Sequence, residues 1–162
     1  MEEYRQKIKT LEETLEECTW LKASDKKVVF TNGCFDLLHP GHTRYLFAAR
    51  ELGDYLIVAV NSDRSVRAIK GPGRPLMGEQ VRAELLAALS FVDSVLIFDE
   101  DNPLSVIQQL MPDILVKGGD WSEETIIGAD VVKEAGGKVK RIPYINGFST
   151  TDLIHNILKL QD

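Results

Sequence analysis

Between residues 2 and 22 the apolar side chains Tyr4, Ile8, Leu11, Leu15 and Cys18 recur at alternating spacings of four and three. That period predicts a helix with a narrow apolar stripe and strongly charged flanks. "KASDKK" breaks the pattern. From Lys27 onward the period changes, and "VVFT" (28–31), "YLIVAV" (55–60), "SVLIF" (94–98), "DILV" (113–116) and "KVKRI" (138–142) predict strands. Several are apolar at consecutive positions, as in strands buried on both faces of a parallel sheet. Between them the spacing predicts helices over 41–52, 78–90, 103–110, 128–135 and 150–160. Gly53, Asn102-Pro103 and Gly136-Gly137 supply end signals. The one long stretch without a period is 61–77, which carries Asp63, Arg64, Arg67, Lys70 and Arg74 around "GPGRP".

Strand–helix alternation predicts an α/β fold, a doubly wound Rossmann-like sheet of about five parallel strands with helices on both faces. The expected organisation is a helical extension over 1–24 and one domain over 25–162. In such sheets ligands bind outside the carboxyl ends of the strands, at the switch point in strand order. Loops 31–42, 61–77, 117–122 and 143–150 follow predicted strands and hold the unusual residues. The site is expected there.

Composition narrows the function classes. With 162 residues, 44% hydrophobic and 27% charged, the chain is an ordinary globular domain. A net charge of -6 and a pI near 5.1 argue against nucleic acid as a partner, since that surface needs a basic face. No apolar run reaches the ~20 residues that span a bilayer, so no membrane partner is expected. Two cysteines, Cys18 and Cys34, form no disulfide framework, and the opening "MEEYRQKIKT" is charged throughout. The expected location is cytoplasmic.

The densest chemistry lies in "TNGCFDLLHPGH", residues 31–42. Cys34, His39 and His42 are metal-ligand types, but the frames CxxC and HExxH are absent and no metal site is expected. Either histidine alone also fits a hydrogen-bonded turn residue. The pair with Gly33 and Gly41 fits a third reading, an anion site. Gly33 permits a close approach of backbone, Pro40 suits the first turn of a helix, and Gly41-His42 present N–H groups at its positive end. Neither GxxxxGK[ST] nor GxGxxG occurs. Near the C-terminus, Ser149 is a good N-cap with Asp152 three residues on, and Thr150 and Thr151 add hydroxyls beyond what capping needs.

Three ordered segments carry a resemblance. "GCFDLLHPGH", "VNSDRSVRAIKGPGRP" and "GFSTTDLI" are similar to the motifs of the HxGH, cytidylyltransferase-like nucleotidyltransferase superfamily, over about residues 27–160. Within it, "DILVKGGDW" and "RAIKGPGRPL" most resemble adenylyltransferases acting on D-glycero-β-D-manno-heptose 1-phosphate. That activity also occurs as the second half of a bifunctional kinase–adenylyltransferase, so the chain resembles a stand-alone version. Glycerol-3-phosphate cytidylyltransferases, which use CTP, are the alternative. They carry "RTEGISTT" where this chain has "YINGFSTT", with Tyr144 at the arginine's place and Arg141 or Lys117 as substitutes. A non-catalytic nucleotide-binding module is the alternative of another class, and the intact histidine pair with Lys70 speaks against it.

The resemblance implies transfer of AMP from ATP to a sugar 1-phosphate, with Mg²⁺ bridging the triphosphate and small molecules as the partners. A homodimer is a common state of such transferases. It assigns catalysis to His39, His42 and Lys70, the histidines as donors to the nucleotide phosphates. Thr31, Asn32, Gly33, Cys34, Phe35, Gly41, Lys117 and Gly118 are assigned to the nucleotide, Asp120 and Trp121 to its base or ribose. Ser149, Thr150 and Thr151 are assigned to the β/γ-phosphates. Asp63, Arg67 and Arg82 are weaker phosphate or substrate assignments; Arg82 has pairing with Glu79 as its other reading. Asp36 joins that weaker set, with bracing the turn as its favoured role.

Overall fold

A computed structural model describes residues 3–119, 122–143 and 147–161. Five strands form one all-parallel sheet: β1 (Val28–Gly33), β2 (Tyr55–Asn61), β3 (Ser94–Phe98), β4 (Ile114–Gly118) and β5 (Lys138–Ile142). Their spatial order is β3-β2-β1-β4-β5, so the order reverses between β1 and β4. At the centre Phe30 pairs with Ile57 of β2 and Leu115 of β4. The consecutive apolar residues of these strands point alternately into two cores. Val28, Phe30, Ile57, Leu96 and Leu115 pack beneath α1 (Leu11–Ala23), α5 (Leu104–Leu110) and α6 (Ala129–Glu134). Val29, Leu56, Val58, Val95 and Val116 face α2 (Pro40–Arg50) and α4 (Glu79–Ala87). The doubly wound α/β expectation holds.

Two elements differ from the pattern-based reading. The single helix expected over 2–22 is a 3-10 turn at Glu3–Lys7, a short extended link, and then α1. A capping box at Thr10 and Glu13 starts α1 afresh, each residue's side chain bonded to the other's backbone N–H. The apolar period runs through the break because both halves are buried, but on different cores. Tyr4 and Ile8 pack on one face of the sheet, Leu11, Leu15, Cys18 and Leu21 on the other. The chain therefore wraps the β3 edge, where Ile8 bridges Val95 and Lys9 N–H donates to Val95 O at 2.9 Å. That contact covers an otherwise open strand edge.

The second difference lies in 61–77, where α3 (Asp63–Lys70) occupies the first half. Ser62 caps it, accepting from Ser65 N–H at 3.1 Å, and Gly71 ends it at φ 97°. Only Ser65 and Val66 of α3 are buried, so no apolar stripe announces it. Helix α7 (Thr150–Leu158) closes the described fold. No helix among the described residues is long and apolar enough to cross a membrane.

Candidate active site at the β1–β4 switch point

At the switch point β1 ends in Thr31, Asn32 and Gly33 and β4 in Lys117 and Gly118. Lys117 donates to Asn32 Oδ1 at 3.1 Å across the gap. Burial holds the Lys117 ammonium below its ordinary range, so an anion arriving here meets a poorly solvated cation. The side chain of Thr31, assigned to the nucleotide, is fully buried, and its hydroxyl shares a 2.6 Å hydrogen bond with the Tyr45 hydroxyl. Gly33 is glycine for an unexpected reason. A Cβ there would lie 2.9 Å from the ring of Phe35, so the close approach comes from within the chain. Phe35, itself at φ 49°, then meets His42 edge-on with ring centroids 5.3 Å apart.

His39 stands at the N-cap of α2, with Pro40 in the first turn, and makes no side-chain capping bond. The rings of His39 and His42 stack at 3.8 Å, tilted by 22°. The Nδ1 atoms of both are buried without a hydrogen-bond partner. Burial lowers both pKa values; for His42 the neighbouring His39 adds to it, bringing the group from 6.5 to about 4. Two neutral imidazoles thus sit at the positive end of a helix, where an anion is favoured. Gly41 is required between them, since a Cβ would fall 2.8 Å from the His39 ring and 3.2 Å from Phe148 Cβ.

The segment 63–82 closes the site from another side. Lys70, at the end of α3, is exposed. Burial raises the Cys34 thiol pKa against the opposing pull of Lys70, Arg82 and Arg74. Of these, Arg82, one of the weaker phosphate assignments, is engaged with the protein. It is fully buried, donating to Met77 O at 2.9 Å, Cys34 O at 2.6 Å and Asp63 Oδ1 at 2.8 Å. Glu79, its expected alternative partner, accepts from Asp63 N–H instead. Asp63 is therefore engaged with the protein as well. Asp36 braces the loop: its carboxylate accepts from Arg74 at 2.6 Å and from the Leu76 and Met77 N–H groups at 2.8–2.9 Å. Burial pushes that carboxyl up, but these bonds outweigh it and leave its pKa below the ordinary range. Arg67 stays exposed on α3, while Arg64 pairs with Asp99 and Asp101.

From the C-terminal side, Ser149 caps α7, accepting from Asp152 N–H at 2.9 Å. Thr150 is half-buried and Thr151 exposed in its first turn. Phe148, absent from the sequence-derived set, lies near-parallel to His39 with ring centroids 6.3 Å apart, and Arg44 sits over its ring at 5.8 Å. Its signal was its position directly before the Ser-Thr-Thr run. Asp120, Trp121 and Tyr144 lie outside the described residues.

A parallel sheet whose strand order reverses beside a histidine pair on a helix N-terminus is a nucleotide-binding class of α/β architecture. The chain belongs to the cytidylyltransferase-like family, whose model matches residues 30–156, and it is a nucleotidyltransferase. It is 53% identical over 156 residues to the bifunctional protein HldE of Syntrophotalea carbinolica, matching 96% of this chain and 32% of that protein. The HldE of Trichlorobacter lovleyi is 52% identical over 94% of this chain and 31% of its own length. The chain thus spans about a third of the curated relatives it matches. Among solved structures, a lipopolysaccharide core biosynthesis protein from Thermoplasma volcanium superposes with a TM-score of 0.59 at 29% identity, covering 74% of this chain and 97% of that one. A pantoate-β-alanine ligase from Francisella tularensis shares the fold at 16% identity and a TM-score of 0.60, over 94% of this chain and 78% of that one.

Proposed function

We propose that the chain transfers AMP from ATP to a heptose 1-phosphate, giving an ADP-heptose and pyrophosphate. The observation that carries this reading is the 53% identity to a bifunctional HldE protein across 96% of this chain. It accords with the "LVKGGDW" and "GFSTT" segments, similar to heptose 1-phosphate adenylyltransferases that form half of a two-activity protein. A phosphate oxygen of the sugar 1-phosphate attacks the α-phosphorus of ATP, and the bond to the β-phosphate bridging oxygen breaks as pyrophosphate leaves. The nucleophile is already an anion, so neither a covalent enzyme intermediate nor a general base is required. The protein's part is positioning and charge neutralisation. In this reading His39 and His42 donate to the nucleotide phosphates, Lys70 meets the attacking or α-phosphate, and Ser149 and Thr150 meet the β/γ end.

The roles of Lys117 and Asn32 follow from the switch point. They receive the nucleotide with the backbone of Gly33, Cys34 and Phe35. Asp36, Asp63 and Arg82 act on the protein, holding the loop that follows Lys70. Among the described residues no His, Cys, Asp and Glu side chains gather as a metal-binding group, and the Asp36 carboxylate is occupied. In this reading the Mg²⁺ ion is carried by the triphosphate, with few or no protein ligands.

The test is pyrophosphate release with ATP and CTP against a panel of sugar and polyol phosphates. Fastest turnover is expected with ATP and D-glycero-β-D-manno-heptose 1-phosphate. Faster turnover with CTP and glycerol 3-phosphate would overturn the assignment in favour of a cytidylyltransferase.

A further inference from the structure

Histidines that act on a ligand are usually oriented by a hydrogen bond to their other ring nitrogen. His39 has none, because its Nδ1 is buried and unpartnered. Its plane is set instead by rings. His42 lies against it at 3.8 Å and 22°, Phe148 at 6.3 Å and 17°, within the range of offset stacking. Phe148 reaches this position from the turn before α7, a different element from the one that carries the histidines. The contact is built from both ends. Gly41 leaves room for it, since a Cβ there would stand 3.2 Å from Phe148 Cβ, and Arg44 lies over the Phe148 ring. Phe148 belongs to neither hydrophobic core and is 39% exposed, so burial of its ring in the interior does not account for it.

We propose that Phe148 is a positioning residue for nucleotidyl transfer: by stacking on His39 it fixes the imidazole plane and ties it to the helix start bearing Ser149 and Thr150. The phosphate donor on α2 and the hydroxyls assigned to the β/γ end are thereby held in one geometry before substrate arrives. This rests on the reading of His39 as a phosphate donor. An unpartnered Nδ1 is tolerated better as an acceptor than as a buried N–H, so the favoured neutral tautomer of His39 carries its proton on Nε2, ready to donate.

The experiment compares wild type, Phe148→Ala and Phe148→Tyr by two measurements. Pyrophosphate release from ATP and D-glycero-β-D-manno-heptose 1-phosphate is expected to show kcat lowered on the order of ten- to a hundredfold in Phe148→Ala. The KM for ATP should stay within about threefold, because ground-state binding is not what the stacking serves. Phe148→Tyr, which keeps the ring, should restore kcat. Without any substrate, the His39 ring-proton resonances should carry an upfield ring-current shift in wild type and Phe148→Tyr that disappears in Phe148→Ala. Unchanged kcat in Phe148→Ala, a raised KM with kcat intact, or identical His39 resonances in all three proteins would overturn the proposal. A wild type that releases no pyrophosphate would condemn the substrate reading instead, and the resonances would then decide the positioning role alone.

Discussion

His39 and His42 are two imidazoles stacked at 3.8 Å, and their closeness governs how they behave as acids. Charging one disfavours charging the other, and burial disfavours charging either. In the unfolded chain a histidine takes its proton near 6.5; in the fold His42 does so only at about 4. The unfolded state therefore binds more protons throughout that window, and stability rises with pH across it. Full stability is present above about 6.5 and falls as the pH drops toward about 4. Urea midpoints measured from pH 7 to 4 are expected to decline for wild type and to decline less for His42→Gln; parallel curves would contradict the shifted histidine. If the same two rings stabilise charge that builds in the transition state, His39→Ala and His42→Ala should each lower kcat on the order of 10²–10³, with ATP affinity nearly unchanged. Single-turnover kinetics beside equilibrium ATP binding make that separation. The motif around these histidines was legible from the sequence, since glycine, proline and histidine have strong local preferences. The tasks of Thr31, Asp63 and Arg82 were not. Arg82 reaches Cys34 O, 48 positions away, and no local pattern reports such a partner.

At the scale of elements, the segment 63–82 is a short helix followed by a loop whose shape is imposed from outside. Asp36 takes two backbone N–H groups and the Arg74 guanidinium of that loop, and Arg82 takes two of its neighbours' carbonyls. Removing the carboxylate leaves buried donors without partners. Asp36→Ala is expected to lower stability by about 1–3 kcal/mol in urea unfolding. It should also make residues 71–78 an early site of limited proteolysis, while Asp36→Asn, which keeps an acceptor, should lie between it and wild type. The strands were readable because each is apolar over several consecutive residues. Helix α3 was hidden for the opposite reason: of its eight side chains only Ser65 and Val66 are buried.

For the molecule as a whole, the N-terminal segment is stitched to both faces of the sheet. Tyr4 and Arg5 reach Glu84 of α4, while Lys22 reaches the Leu110 and Met111 carbonyls at the end of α5. The break at Thr10 escapes a periodicity argument because burial continues across it on the opposite core. Leu21→Ala should accordingly cost roughly 2–5 kcal/mol, measured by thermal or urea unfolding. None of the residues assigned to catalysis lies before Lys27, so turnover per folded molecule should survive that change; a folded but inactive variant would show that the segment also shapes the site.

Helices α1, α3 and α7 each open on a side-chain cap, Thr10, Ser62 and Ser149, whereas α2, like α4, α5 and α6, has none, and His39 stands at its cap position. A missing cap is worth about 1 kcal/mol. In the proposed reading α2 faces the nucleotide, and a bound phosphate would supply the partner that its uncapped start lacks. Occupancy and folding would then be linked by mass action, with nucleotide concentration setting how tightly α2 is wound. Slower amide hydrogen exchange at Gly41 and His42 on adding ATP would be the trace of that coupling.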